Sequence, residues 1–212
     1  MPKRSARAAH RREIIEKTVE SAETPEKYRI IFLAHCTREK GLFDALAAVA
    51  LANRQLTEQL SPIRLHLSVA GAFLYETERR EFERWQREHP NEADYLGFLA
   101  GDAKTKLMQE SDCLCFPTYY SAEAQPISLI EAMAFGLTIV ASAWRGISEL
   151  LPGNYPFLVA ARDVSEIARA LIESMKADLA RQLRQHYCNG FTQKSYSHNL
   201  DNALRDNCVA TD

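Results

Sequence analysis

The 212-residue sequence contains no apolar run approaching the roughly 20 residues that span a bilayer, so any membrane contact is at most peripheral, at the inner face. Neither sign of charge is in excess. Lys and Arg number 26 against 28 Asp and Glu, and a formal net charge of −2 removes any global reason to expect nucleic-acid binding. No secretory leader is expected, and the five cysteines, an odd number without metal-ligand spacing, fit free thiols in a reducing cytoplasm. A catalytic thiol is not expected. Cys36 adjoins His35, but neighbours on an extended chain face opposite ways and make no nucleophile–base pair. The length suits one sizeable core and is too short for two full Rossmann domains.

What the sequence does have is a regular alternation of short apolar segments with helical patterns. Tyr28–Ala34 reads as a buried strand, and Leu42, Phe43, Leu46 and Val49 mark the helix after it. Ile63–Ala70 alternates like a strand with one less buried face, and Gly71 ends it. A charged helix over Glu76–Arg87 has Phe82 and Trp85 as core anchors. Tyr95–Phe98 reads as a third strand, Lys104–Ser111 as a short helix, and Cys113–Phe116 as a buried central strand whose thiols lie in the core.

Pro117 stops that strand, and a polar loop through Gln125 leads to a helix starting at Pro126, with Ile127, Ile130, Ala134 and Leu137 at helical spacing. Leu137–Ser142 and Phe157–Val159 supply further strands, and Asp163 caps a helix through Met175. The fold expected is α/β, a doubly wound parallel sheet of Rossmann type. Residues 1–27 form a basic, helical lead-in, 28–176 the folded domain and 177–212 a helical tail broken at Asn189-Gly190. The basic residues Lys3, Arg4, Arg7, Arg11 and Arg12 read either as a solvated terminus or as a patch for phosphate or anionic lipid.

The chemistry concentrates between Cys113 and Met133. The loop carries Glu123 to the carboxyl end of the central strand, and Glu131 follows one turn into the next helix. Free N–H groups at that helix start attract anions, while carboxylates accept from hydroxyls, a combination that suits a sugar beside a phosphate. Earlier in the chain, the turn from His35 to Gly41 sets Lys40 at the start of another helix, a second plausible anion site.

Glu123-x7-Glu131 followed by Ala132-Met133-Ala134 resembles the retaining glycosyltransferases of the GT-B fold, family 4, in their C-terminal, donor-binding half. The resemblance spans residues 28 to about 200. It implies transfer of a hexose from a nucleotide-diphosphate sugar to a saccharide or lipid-linked acceptor, as in polysaccharide biosynthesis. Glu123 would contact the transferred sugar, Glu131 the ribose and Lys40 the diphosphate. His35 stands where the family has an Arg, and Ala34 where it has a Gly. Histidine offers no guanidinium fork, so diphosphate affinity is lower or Arg38 or Arg145 compensates. Gly71, the base-reading loop at Phe98, and Gln125 and Ile127 at the helix start complete the implied donor-binding set.

Trp144 to Glu149 resembles the family's Gly-Gly-Ile-x-Glu turn, with Arg145 either on a phosphate or on the surface. No Asp-x-Asp occurs, so neither a metal nor another cofactor is expected. The partners implied are a nucleotide sugar and a separate acceptor-binding domain or chain, since the resemblance covers only the donor-binding half of such enzymes. Two rival readings are a nucleotide-sugar binding module, from a split or truncated transferase, and a sugar-nucleotide epimerase on the same architecture.

Overall fold

A computed structural model describes residues 26–195 and residue 197. The basic N-terminal patch, Cys208 and residues 196 and 198–212 of the expected helical tail lie outside the described residues. In chain order the elements are β1 (Glu26–Leu33), α1 (Leu42–Glu58), β2 (Ile63–Ala70), α2 (Glu76–Glu88), β3 (Ala93–Gly97), α3 (Gly101–Glu110) and β4 (Cys113–Phe116). They continue with α4 (Ile127–Phe135), β5 (Thr138–Ser142), α5 (Ile147–Leu150), β6 (Leu158–Val159), α6 (Val164–Ser174) and α7 (Ala180–Gly190).

The strands form one parallel sheet in the order β3-β2-β1-β4-β5-β6, the doubly wound arrangement. Parallel strands joined by helices are covered on both faces, which is why β4 and β5 are buried along their whole length. β2 was expected to keep one less buried face. Arg64 and Ser68 on that face are half-buried, as expected, but His66 is largely buried, its ring nitrogens each 2.8 Å from an acceptor, the Asn91 carbonyl and the Asp94 carboxylate. α1 is clamped to β2 by Asn53, whose side chain donates to the Leu65 carbonyl and accepts from the Leu65 N–H.

α4 corrects two expectations. Pro126 has the extended ψ of 116° and is the N-cap, one residue before the helix, so the helix starts at Ile127. The buried face of the helix is Leu129, Ala132 and Met133; of the residues expected at helical spacing, Ile130 packs partly buried against the core and Leu137 is fully buried, whereas Ile127 is not. Ile127 is 70% exposed, and Leu137 lies past the left-handed Gly136, where the chain already enters β5. The reason is tertiary: α4 packs against β4 and β5 on one side and α7 on the other, and α7 sends Leu183 into the common core. α6 is capped as expected, with the Asp163 carboxylate accepting from the Glu166 N–H at 2.8 Å. Among the described residues no helix is long and apolar enough to cross a membrane.

From β1 the chain winds outward through β2 and β3, and from β4 through β5 and β6 in the other direction. The winding reverses between β1 and β4, and a crevice opens at their carboxyl ends. Two glycines let the backbone close up there. A Cβ on Gly41, which has φ of +83°, would lie 2.2 Å from the Pro117 carbonyl oxygen, and one on Gly71 would lie 1.7 Å from that of Ala34. Gly71→Ala is therefore expected to cost about 2–4 kcal/mol, read as a fall in urea midpoint at unchanged m-value. Gly153→Ala is the control: its Cβ would meet nothing within 4 Å, and a change within about 0.5 kcal/mol is expected.

Candidate donor-binding cleft

Lys40 ends the β1–α1 turn and Glu123 sits on the β4–α4 loop, so each belongs to one side of the reversal. The two segments are tied by backbone. The Tyr119 N–H donates to the Glu39 carbonyl at 2.8 Å, and Gly41 presses against Pro117. This brings Lys40 Nζ to 2.7 Å from Glu123 Oε2. The Thr118 hydroxyl lies 3.1 Å from the same carboxylate oxygen and 3.2 Å from the Glu39 carbonyl, and it accepts from the Tyr120 N–H. The ammonium also rests 4.5 Å from the centroid of the Tyr120 ring. Glu123 is among the few buried charged residues, and Lys40 with Thr118 offsets its desolvation.

Around this pair lies an open cleft of about 570 Å³. All the expected site residues except Arg145 line it: His35, Lys40, Gly71, Phe98, Glu123, Gln125, Ile127 and Glu131. Phe98 and Ile127, 75% and 70% exposed, form an apolar pair of walls at the outer end. Residues Gln125 to Ser128 present the start of α4 to the cleft, and Glu131 follows one turn on. The cleft can thus offer an apolar wall, helix-start N–H groups and two carboxylates with two ammonium groups.

Arg145 is not part of it. The β5–α5 turn lies one strand beyond the crevice, and Arg145 is exposed there with φ of +47°. That turn instead supports the Glu123 loop from behind: Trp144 Nε1–H donates to the Tyr120 carbonyl at 2.9 Å, and Gly146 abuts Ala124. Arg38 does not reach the cleft either. It pairs with Glu81 at 2.5 Å, lies over the Phe43 ring and lines a neighbouring cavity of about 820 Å³ that shares His35 and Lys40.

Sequence reasoning missed Lys104, Thr118 and Tyr120. Lys104 Nζ lies 2.5 Å from Glu131 Oε1. No sequence signal separates it from a solvated helix lysine; Thr118 and Tyr120 were detectable only as polar residues just past a strand end.

The three buried thiols, Cys36, Cys113 and Cys115, are not reactive groups. Burial, with the nearby Glu78 carboxylate second, pushes Cys36 up to about 12, and burial likewise pushes Cys113 up to about 12 and Cys115 well above its ordinary value. Among the described residues no three His, Cys, Asp or Glu side chains converge as a metal site.

A parallel, doubly wound sheet with a polar cleft at its reversal defines a Rossmann-like binding domain. Residues 13–189 match the family described as Glycosyl transferases group 1, and the chain belongs to that family. Over 203 residues it is 26% identical to the putative colanic acid biosynthesis glycosyltransferase WcaL of Escherichia coli K12, covering 89% of this chain and 47% of that protein. The chain thus spans about half the length of the curated relatives it matches. The fold also matches GT-B glycosyltransferase structures. Anabaena HepE in complex with UDP and glucose aligns with a TM-score of 0.70 at 17% identity, over 85% of this chain and 48% of that one. The C-terminal domain of the group 1 glycosyl transferase LpcC from Francisella tularensis aligns with a TM-score of 0.65 at 14% identity, over 85% of this chain and 97% of that one.

Three outcomes are expected of the free protein. Lys40→Met leaves Glu123 buried without its partner and should cost up to about 3 kcal/mol in urea unfolding, the low end for a buried pair. Adding Glu123→Gln should recover most of that loss, whereas additive losses would show the two side chains to be uncoupled. Thiol mapping by alkylation at pH 8 should label exposed Cys188 and spare Cys36, Cys113 and Cys115 until the protein unfolds. Because the folded thiols titrate above the ordinary value near 9, their contribution to stability is complete below that value. It is lost as pH climbs towards 12, so the urea midpoint should fall over that range.

Proposed function

We propose that this chain is the donor-binding half of a retaining glycosyltransferase of family 4 type, holding a nucleotide-diphosphate hexose for transfer to a saccharide or lipid-linked acceptor. The observation that carries the reading is the meeting of Lys40 with Glu123 at the sheet reversal, with Glu131 one helical turn away in the same cleft. That spacing matches a chemically mixed ligand: a base on the apolar wall, a ribose on one carboxylate, a diphosphate at the helix start and a hexose on the other carboxylate.

In this reading Phe98 and Ile127 contact the base, and Glu131 accepts from the ribose hydroxyls. Lys40 and the N–H groups at the start of α4, with Gln125 beside them, hold the diphosphate. As the glycosidic bond to the diphosphate breaks, negative charge grows on the leaving oxygen, and Lys40 is placed to stabilise it. Glu123 orients the hexose through its hydroxyls, an effect of positioning more than of proton transfer. Retention at the anomeric carbon is what the family resemblance implies. Protein cations carry the diphosphate here, and the chemistry calls for neither a metal nor another cofactor.

The acceptor is assigned to a second domain or chain. A nucleotide-sugar binding module without turnover of its own is the second reading, favoured by the match to an isolated C-terminal domain over nearly its full length.

Calorimetry with UDP and UDP-glucose on the wild type and two variants tests the assignment. Glu131→Gln is expected to weaken both ligands, since both contain ribose. Glu123→Gln should weaken only UDP-glucose, by about 1.5–3 kcal/mol, and leave UDP unchanged or slightly tighter because Lys40 is released. Identical profiles for the two variants would end the two-carboxylate reading.

A further inference from the structure

Two ammonium groups and two carboxylates line the cleft, and each ammonium is tied to one carboxylate: Lys40 to Glu123 at 2.7 Å and Lys104 to Glu131 at 2.5 Å. Within the cleft these four charges cancel. A nucleoside diphosphate brings at least two negative charges, so one lysine must give up part of its pairing for the ligand to be held by more than helix-start N–H groups. Arg38 and Arg145 do not line this space.

The two lysines differ in how firmly they are held. Lys40 and Glu123 are 18% and 7% exposed, and Thr118 also lies within hydrogen-bond distance of the carboxylate. Lys104 and Glu131 are 30% and 29% exposed, in the range where an ion pair adds little and exchanges easily. Position adds a second argument. Lys104 stands in the first turn of α3, Gly101–Glu110, where the helix dipole disfavours a cation, so helix stability does not account for it. Ala100 and Gly101 of the same turn line the cleft beside it.

We propose that Lys104 is a phosphate-binding residue of this cleft and selects nucleotides over nucleosides. The proposal rests on the reading that Glu131 holds the ribose. Glu131 Oε1 takes one of the three ammonium N–H groups. When ribose hydroxyls engage Glu131, its hold on Lys104 weakens, and Lys104 donates to an oxygen of the adjoining phosphate while staying within reach of the carboxylate. Lys104 is thus the cation that couples ribose recognition to phosphate recognition.

The test is calorimetry on the full chain with UDP, GDP and ADP, each against its nucleoside, for the wild type, Lys104→Met, Lys104→Arg and Lys40→Met. Lys104→Met is expected to weaken the best-bound diphosphate roughly tenfold or more and to leave the matching nucleoside unchanged or tighter, while Lys104→Arg retains diphosphate affinity. Equal losses for diphosphate and nucleoside would overturn the proposal, because Lys104 would then act only by holding Glu131. So would an unchanged diphosphate affinity, and if Lys40→Met still weakened that ligand the donor-binding reading would stand without Lys104. A wild type that bound no nucleotide and no nucleoside would remove both readings together.

Discussion

The close approach of two backbone segments at the sheet reversal is the constraint on which the cleft depends. The β1–α1 turn and the β4–α4 loop come from strands far apart in sequence but adjacent in the sheet, and the Glu39 carbonyl to Tyr119 N–H bond joins them. Gly41 permits that contact, since any side chain there would occupy the position of the Pro117 carbonyl. Lys40 and Glu123 are therefore held as neighbours by the main chain, and their ion pair records a geometry that the fold has already imposed. Gly71 has the same part between β1 and β2, so the floor of the cleft is built from backbone in close contact on both sides of β1.

The electrostatics of the cleft follow from that floor. Each carboxylate is matched by a lysine from another element, Lys40 before α1 and Lys104 within α3, so the free protein carries no uncompensated buried charge there. In the proposed reading a ligand that carries both hydroxyls and phosphates would exchange with these protein partners, phosphate oxygens taking the place of a carboxylate on lysine and hydroxyls donating to the carboxylate in place of an ammonium. The apolar walls at Phe98 and Ile127 add contact area without charge. The chain belongs to the glycosyl transferases group 1 family and spans about half the length of the curated relatives it matches.

Much of this was legible in the sequence because the signals were local. Continuous apolar runs such as Cys113–Phe116 and Leu137–Ser142 read as buried strands, and in the structure they are buried at every residue. Asp163 read as a cap and is one. Where an element's burial depends on what lies outside it, local pattern failed. The spacing of Ile127, Ile130, Ala134 and Leu137 marked α4 as a helix but not its buried face, which is Leu129, Ala132 and Met133, because that face depends on β4, β5 and α7, all contacted by α4. His66 read as part of the less buried face of β2, where Arg64 and Ser68 are half-buried, but it is itself largely buried against Asn91 and Asp94, around the start of β3.

The sequence by itself determined the alternation of strands and helices, and with it the doubly wound sheet, since apolar runs bounded by turn residues leave a parallel sheet as the way to bury them. It also placed Lys40, Glu123 and Glu131 at strand or helix ends, where such a sheet collects its ligands. Only the tertiary structure decided which of the candidates meet. Arg145 and Arg38 carry the right charge for a phosphate, but one lies a strand too far from the reversal and the other is held by Glu81 beside a different cavity. Lys104, unmarked in sequence, reaches Glu131 because α3 and α4 pack side by side at the same sheet edge. Charge and residue type are properties of single positions, whereas proximity depends on strand order and helix packing, which exist only once the chain has folded.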